Sequence, residues 1–315
     1  MLAVIGALVA NGLITVLKFI AAVITGSSGM MAESFHSLAD TTNQVFLLLG
    51  LRFYKRPASE KHPFGYGKER FFWSFIAAIF IFGVGATYAI YEGIEKIRHP
   101  HVIENLAWAY WVLGISFVLE AGSIGLALYQ EINEAHHEGL SFGEYLKESK
   151  DPTAKTVIFE DSAALFGIVL AAAGLLLGQY KVAPYEGMLW DGIASVAIGV
   201  VLAIVAFSLA RSSRGLLLGE AATPKDVEKI HSAMESHPNV NKVIELLTMH
   251  LAPKQILVNA HINLKSNLTN EQIVKSIGEI EKNIKKAEPK VDMIFLETAS
   301  LSESTVKEVI PEHIG

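Results

Sequence analysis

The sequence predicts an α-helical membrane protein with six transmembrane helices, followed by a small α+β domain. Three observations predict it. Of 315 residues, 51% are hydrophobic and only 18% charged, so apolar content is raised and charge depleted relative to a soluble domain. Six apolar segments reach the roughly 20 residues that cross a bilayer as a helix. From about Thr223 the composition turns to Lys, Glu, Asn and Ser, and the apolar runs shorten.

The first span runs from about Leu2 to Ile24 and ends at Thr25-Gly-Ser-Ser-Gly29. It lacks the charged start and small-residue cleavage site of a signal peptide. The second runs from about Met30 to Phe53, the third from Phe71 to Ile97, the fourth from Leu106 to Gln130, the fifth from Thr156 to Gly178 and the sixth from Leu189 to Ala210. The loops after the second and fourth spans carry Arg52, Lys55, Arg56, Lys61, Lys68, Arg70 and Lys147, Lys150, Lys155, while those after the odd spans are poorer in basic residues. That asymmetry puts both termini on the cytoplasmic side. With no targeting segment at Met1, the expected location is a bacterial plasma membrane, crossed several times.

The remainder reads as α-β-β-α-β, a ferredoxin-like arrangement with helices on one face of a three-stranded sheet. Thr223 caps an amphipathic helix. Val243–Leu251 and Ile256–Leu264 read as strands joined by the turn-like Ala252-Pro-Lys-Gln255. In the second, Val258, Ala260, Ile262 and Leu264 alternate with Asn259, His261 and Asn263. Asn270–Lys286 reads as a helix and Val291–Glu297 as a strand. The expected division is a transport domain over 1–220 and a regulatory and dimerisation domain over 221–315.

A net charge of −6 without a long basic run argues against a nucleic-acid partner. With no cysteine, any metal must be held by His, Asp, Glu, Asn or water.

His36 and Asp40 stand four residues apart on one helix face inside the second span. Ionisable groups in hydrocarbon cost on the order of 3 kcal/mol each, and imidazole with carboxylate suits a divalent cation such as zinc. The competing reading is a hydrogen-bonded pair that fixes helix packing. Glu33, one turn before His36, and Asn43, one turn after Asp40, are candidates to orient these ligands, or to hydrogen-bond between helices. The fifth span carries adjacent Glu160 and Asp161. Either or both complete a tetrahedral site with His36 and Asp40, or they cap the start of their helix. Lys18 either snorkels or pairs with a carboxylate on another helix. Asn11 and Glu120 read as packing or hydrogen-bonding groups, and Asp191 as the cap of the sixth helix. His136 and His137 fall in a polar loop from Glu131 to Asp151. His231, His237, His250 and His261 read as surface histidines, with His261 the best placed, opposite the apolar face of its strand.

The stretch Arg56-Pro-Ala-Ser-Glu-Lys-His-Pro-Phe-Gly-Tyr-Gly-Lys-Glu-Arg70 resembles the loop between the second and third spans of cation diffusion facilitators, as does the His36-x-x-x-Asp40 pair. The segment Phe159-Glu-Asp-Ser-Ala-Ala-Leu165 is similar to the branch that includes the zinc transporter nine-like proteins. The resemblance covers nearly the whole chain. It implies a homodimeric exporter of divalent cations, usually Zn2+, driven by proton exchange, with alternating access around a site shared by spans two and five. His36 and Asp40 match the family ligands of the second span. In the fifth, where the family pattern is His-x-x-x-Asp, this chain has Val157-x-x-x-Asp161 or Glu160-x-x-x-Ala164, so one histidine is lost in either alignment. A site with one imidazole and several carboxylates is harder and more tolerant of Mn2+, Fe2+ or Co2+. His62 falls where some members bind a loop metal, but Ser59 and Tyr66 stand at its other positions. His261 and Glu297 fall near positions where some members bind a metal pair. His36, which titrates near neutrality in its ordinary form, is the natural ligand to exchange metal for protons.

Two other classes remain open on the residues. A membrane metalloenzyme needs a general base and cleft beside the metal, and no His-Glu-x-x-His, nucleophile elbow or phosphate loop occurs. A sensor or channel would bind or conduct the ion without coupling to protons.

Overall fold

The computed structural model describes residues 2–100, 102–137, 139–148, 152–179 and 186–298. The chain forms two compact units. One holds the residues up to Ala58 together with Glu69–Arg214; the other holds Ser59–Lys68 and the chain from Gly215 onward.

The helical unit begins with α1 (Leu2–Thr25) and α2 (Ser28–Phe53). Gly26, at φ 64°, makes the turn between them, a left-handed conformation that glycine adopts without strain. The third span is one helical run, α3 (Glu69–Phe80), a π-helical turn over Ile81–Ala86, and α4 (Thr87–Arg98). Then come α5 (Leu106–His137), the short α6 (Phe142–Glu148), α7 (Pro152–Gln179) and α8 (Glu186–Leu218). Among the described residues, four helical runs are long and apolar enough to cross a membrane: Glu69–Arg98, Leu106–His137, Thr156–Gln179 and Leu189–Leu218, with mean hydropathy from 1.8 to 2.7. α1, at 24 residues, is long enough as well, with Asn11 and Lys18 its most polar members. The length of α2 suffices, but the stretch Ser28–Asn43 is dense in Ser, Thr, Glu, His, Asp and Asn, which depresses its hydropathy. The expected polar loop from Glu131 is corrected: α5 runs on through His136 and His137, and α6 follows.

α2 is the central helix and packs against α1, the third span and α7. Its buried face is lined by small residues, among them Gly29, Ala32, Ser34, Ser37 and Ala39, which let neighbouring backbones approach. Between α4 and α8 the approach is closer still. A methyl group on Gly93 would fall 2.6 Å from the Gly192 carbonyl oxygen, and one on Gly192 would fall 2.9 Å from the Gly93 carbonyl. Ser195 Oγ donates to the Ala89 carbonyl across this contact, at 2.8 Å.

Asp191 does not cap its own helix. It lies inside α8, and its fully buried carboxylate crosses to the start of α2. It accepts hydrogen bonds from Ser27 Oγ (2.6 Å), Ser28 N (2.7 Å), Ser28 Oγ (3.1 Å) and Gly29 N (3.1 Å). Backbone N–H groups at a helix start have no intrahelical acceptor, and a carboxylate there also meets the positive end of the helix dipole. Lys96 Nζ donates to the carbonyl of Gly26 at 2.7 Å in the same turn.

In the second unit, α9 (Pro224–Glu235) is capped by Thr223 Oγ1, which accepts from Asp226 N at 3.1 Å. β1 (Val240–Ala252) pairs antiparallel with β2 (Gln255–Leu264), and Ala252 faces Gln255 across a two-residue turn. α10 (Asn270–Ala287) opens with a reciprocal capping box between Thr269 and Gln272. β3 (Val291–Thr298) adds parallel to β2, giving the order β1-β2-β3. The period-two pattern of β2 places Val258, Ala260 and Ile262 in a core with Ile230, Met234, Ile280 and Ile284. Ser59–Lys68 belong to this unit: Ser59 and His62 exchange backbone hydrogen bonds, Lys68 Nζ donates to the Leu217 carbonyl (3.3 Å), and Gly67 lies so close to the Leu251 carbonyl that no side chain fits.

Two outcomes are expected. Asp191→Ala leaves the start of α2 with unsatisfied buried donors and lowers stability by about 3 kcal/mol, read by thermal unfolding in detergent. In α9, burial by itself raises the Asp226 carboxyl, but Lys290, hydrogen bonds with Glu288 and Thr223, and Lys229 outweigh it and hold it below its ordinary 3.8. Its stabilising contribution is therefore present above the unfolded carboxylate range and lost as pH falls through the lower folded value. Asp226→Asn is expected to be less stable than the parent at neutral pH, with the gap closing below pH 3.8 in denaturant unfolding.

Candidate metal centre

The spacing of α2 puts Glu33, His36, Asp40 and Asn43 along one side of the helix. Their partners differ. Lys18 of α1 and Glu33, both fully buried, form an ion pair at 3.2 Å, and Lys18 Nζ also donates to Ser37 Oγ at 2.6 Å. Pairing, not snorkelling, is the fate of Lys18. Of the two roles open to Glu33, bonding between helices is the one seen, with Lys18 as its partner. Its second oxygen, Oε1, has no hydrogen bond and presses against Gly167 of α7, where a Cβ would overlap it.

His36 is buried, and neither ring nitrogen has a hydrogen-bond partner; Nδ1 lies 3.4 Å from Asp40 Oδ1, itself unpartnered. At that distance the two are neighbours without the hydrogen bond that a packing role requires. Asn43 Nδ2 donates to Glu160 Oε2, which leaves Asn43 Oδ1 and Glu160 Oε1 buried without partners. Asp161 Oδ2 accepts from Ser123 Oγ of α5 at 2.9 Å. Because α7 begins at Pro152, Glu160 and Asp161 lie two turns inside it, past the dipole end, and capping is not their role.

Asp40, Asn43, Glu120, Ser123, Glu160 and Asp161 line one cavity in the helical unit, about 570 Å³ including its open mouth. Its wall draws on α1, α2, α5 and α7 and holds no Lys, Arg or His among the described residues. His36 stands beside Asp40 outside the wall. Among the described residues no three His, Asp or Glu side chains are already drawn to metal-ligand spacing. The carboxylates surround the space without closing on it. Glu120 is the member that sequence reasoning missed. The sequence reading gives it a packing or hydrogen-bonding role, although the cost of an acid in an apolar span applies to it as much as to Asp40.

The secondary positions fall in the other unit. His62 is exposed with its ring centroid 4.5 Å from that of Tyr66, whose hydroxyl lies 3.2 Å from Ser59 Oγ. His261 and Glu297 do meet: Nε2 lies 3.0 Å from Glu297 Oε2, and Nδ1 lies 3.4 Å from Glu245 Oε2. Glu245 was not anticipated; the strand register pairs it with His261 across β1 and β2, as it pairs Glu297 with His261 across β2 and β3. Two of the expected surface histidines are buried. His237 pairs with Glu279 at 3.0 Å, and His250 sits in the β1 edge of the core.

Residues 4–218 match the cation efflux transmembrane domain, and residues 222–296 match the cation efflux protein cytoplasmic domain. The chain belongs to the cation efflux family. It is 33% identical over 291 residues to the mitochondrial proton-coupled zinc antiporter SLC30A9 of Xenopus laevis, covering 90% of this chain and 51% of that protein. The Homo sapiens protein of the same name is 30% identical over 280 residues, covering 86% of this chain and 49% of that one. Metal tolerance protein C4 of Arabidopsis thaliana is 32% identical over 279 residues, with 89% and 60% covered. The chain thus spans about half the length of the antiporters it matches. These relatives overturn the expectation of a bacterial plasma membrane, since the antiporters are mitochondrial proteins. The multi-pass helical unit itself stands.

The buried pair gives a test of the site's scaffold. Lys18→Met strands the Glu33 charge and is expected to cost about 3 kcal/mol in thermal unfolding, and Lys18→Met with Glu33→Gln to recover most of it.

Proposed function

We propose that this chain exports divalent metal cations, with zinc as cargo in exchange for protons, through the cavity between α2, α5 and α7. The observation that carries this reading is a set of buried, unpartnered donor atoms from two helices at one space: Asp40 on α2 and Glu160 on α7 line it with Asn43 between them, and His36 stands beside Asp40. Unsatisfied polar atoms in a bundle interior are costly, and a dication bound among them offsets that cost. Asp40, Glu160 and Asp161 act as carboxylate ligands and His36 as the imidazole. Asn43 holds Glu160 in place. Support for zinc and for protons comes from the relatives named proton-coupled zinc antiporters.

The exchange follows from the donor set. Metal binding requires ionised carboxylates and neutral imidazole, so proton and metal compete for the same atoms. Loading occurs with the cavity open on one side; rocking of the helices then exposes it to the other, where protons displace the cargo. We further propose that 1–220 carries transport and that 221–315 serves dimerisation and regulation, in keeping with its match to the family's cytoplasmic domain.

Proteoliposomes loaded with a zinc-sensitive dye test the reading. Uptake is expected to rise with an imposed pH gradient and to fall at least about tenfold in Asp40→Asn and in Asp161→Asn. Flux indifferent to the gradient assigns the chain to a channel, and no flux under either condition returns it to a sensor or enzyme.

A further inference from the structure

α7 gives the cavity Glu160 and Asp161, but Val157, one turn before Asp161 and in the same wall, is apolar. The face left bare there is met by α5, which brings Glu120 and, nearly one turn on, Ser123. Ser123 already holds Asp161 at 2.9 Å, so α5 is tied to the carboxylate it stands beside. Four carboxylates therefore face the space, Asp40, Glu120, Glu160 and Asp161, with no cationic side chain in the wall. Lys18 attracts Asp40 and Glu120 through space, but its ion pair is with Glu33 and it does not line the cavity. Acidic side chains gathered in one place do not by themselves make a site. Here Glu160 Oε1 and Asn43 Oδ1, each on a residue more than nine-tenths buried, line the same cavity with no partner.

Resting on the metal-centre reading above, we infer that Glu120 is a ligand from a third helix and determines which dication the cavity prefers. Zinc is satisfied by four donors and favours imidazole, whereas manganese(II) takes six, mostly oxygen. His36, Asp40, Glu160 and Asp161 fill a tetrahedral set without Glu120. A six-donor set of five oxygens and the His36 nitrogen requires it, together with the Asn43 side-chain carbonyl. Glu120 thus admits manganese(II) to a site that would otherwise be zinc-selective, and its removal costs manganese more than zinc.

The test is calorimetric titration of the full chain in detergent with Zn2+ and with Mn2+, alongside the Mn2+ electron paramagnetic resonance spectrum. Glu120→Gln is expected to weaken Mn2+ at least about tenfold and Zn2+ by less than about threefold. Glu120→Asp, which keeps the charge but retracts the oxygens, is expected to show the same order with a smaller Mn2+ loss; it carries the test alone if the Gln variant is not monodisperse. Equal loss of both ions, no loss of either, or a larger loss of zinc overturns the assignment of Glu120. Asp40→Asn separates the two levels: if it binds both ions as the parent does, the metal centre itself fails, whatever Glu120 does.

Discussion

A helix that carries ionisable side chains through an apolar bundle must either pair each of them or leave them for something that arrives later. α2 does both. Lys18 neutralises Glu33, and Asp191 closes the helix start with four accepted hydrogen bonds. His36, Asp40 and the acceptor oxygens of Asn43 and Glu160 keep unpartnered atoms. The split separates scaffold from function along a single helix. Paired groups set where α2 sits, and unpaired ones set what it offers.

The low hydropathy of α2 follows from the same split. Its polar residues would be unaffordable facing lipid, so α2 must be surrounded by α1, the third span and α7. The outer helices are correspondingly apolar on their exposed faces, with Trp111, Val118, Ile204 and Phe207 turned outward. The alanine-rich contact surfaces among the buried residues, Ala21, Ala32, Ala86, Ala109 and Ala171, keep the bundle tight enough for short polar side chains to reach across it.

Much of the fold was legible in the sequence because its signals are local. Apolar run length places the helices, Thr223 marks a helix start, and the alternation through Val258, Ala260 and Ile262 fixes which face of β2 is buried. The proposed metal centre is legible in part: the cost of burying charge singles out His36, Asp40, Glu160 and Asp161. What escaped was relational. Asp191 sits near the start of an apolar helix, where capping its own helix is the local reading, and only three-dimensional packing reveals α2 as its partner. Glu245 joins His261 only once strand register is known. Glu120 looked isolated because its companions lie on other helices. The burial of His237 and His250 likewise depends on which face of the sheet α9 and α10 cover, information that neither residue's neighbours in sequence carry.

The Asp191 contact has a consequence for biosynthesis. Ser27 and Asp191 are 164 positions apart, so the ribosome has almost finished the helical unit before the acceptor for the start of α2 exists. Until α8 enters the bilayer, the α1–α2 hairpin carries exposed N–H groups that only water or headgroups can satisfy. Until then the amino end of α2 is satisfied by water or headgroups, which the Asp191 carboxylate replaces when α8 packs.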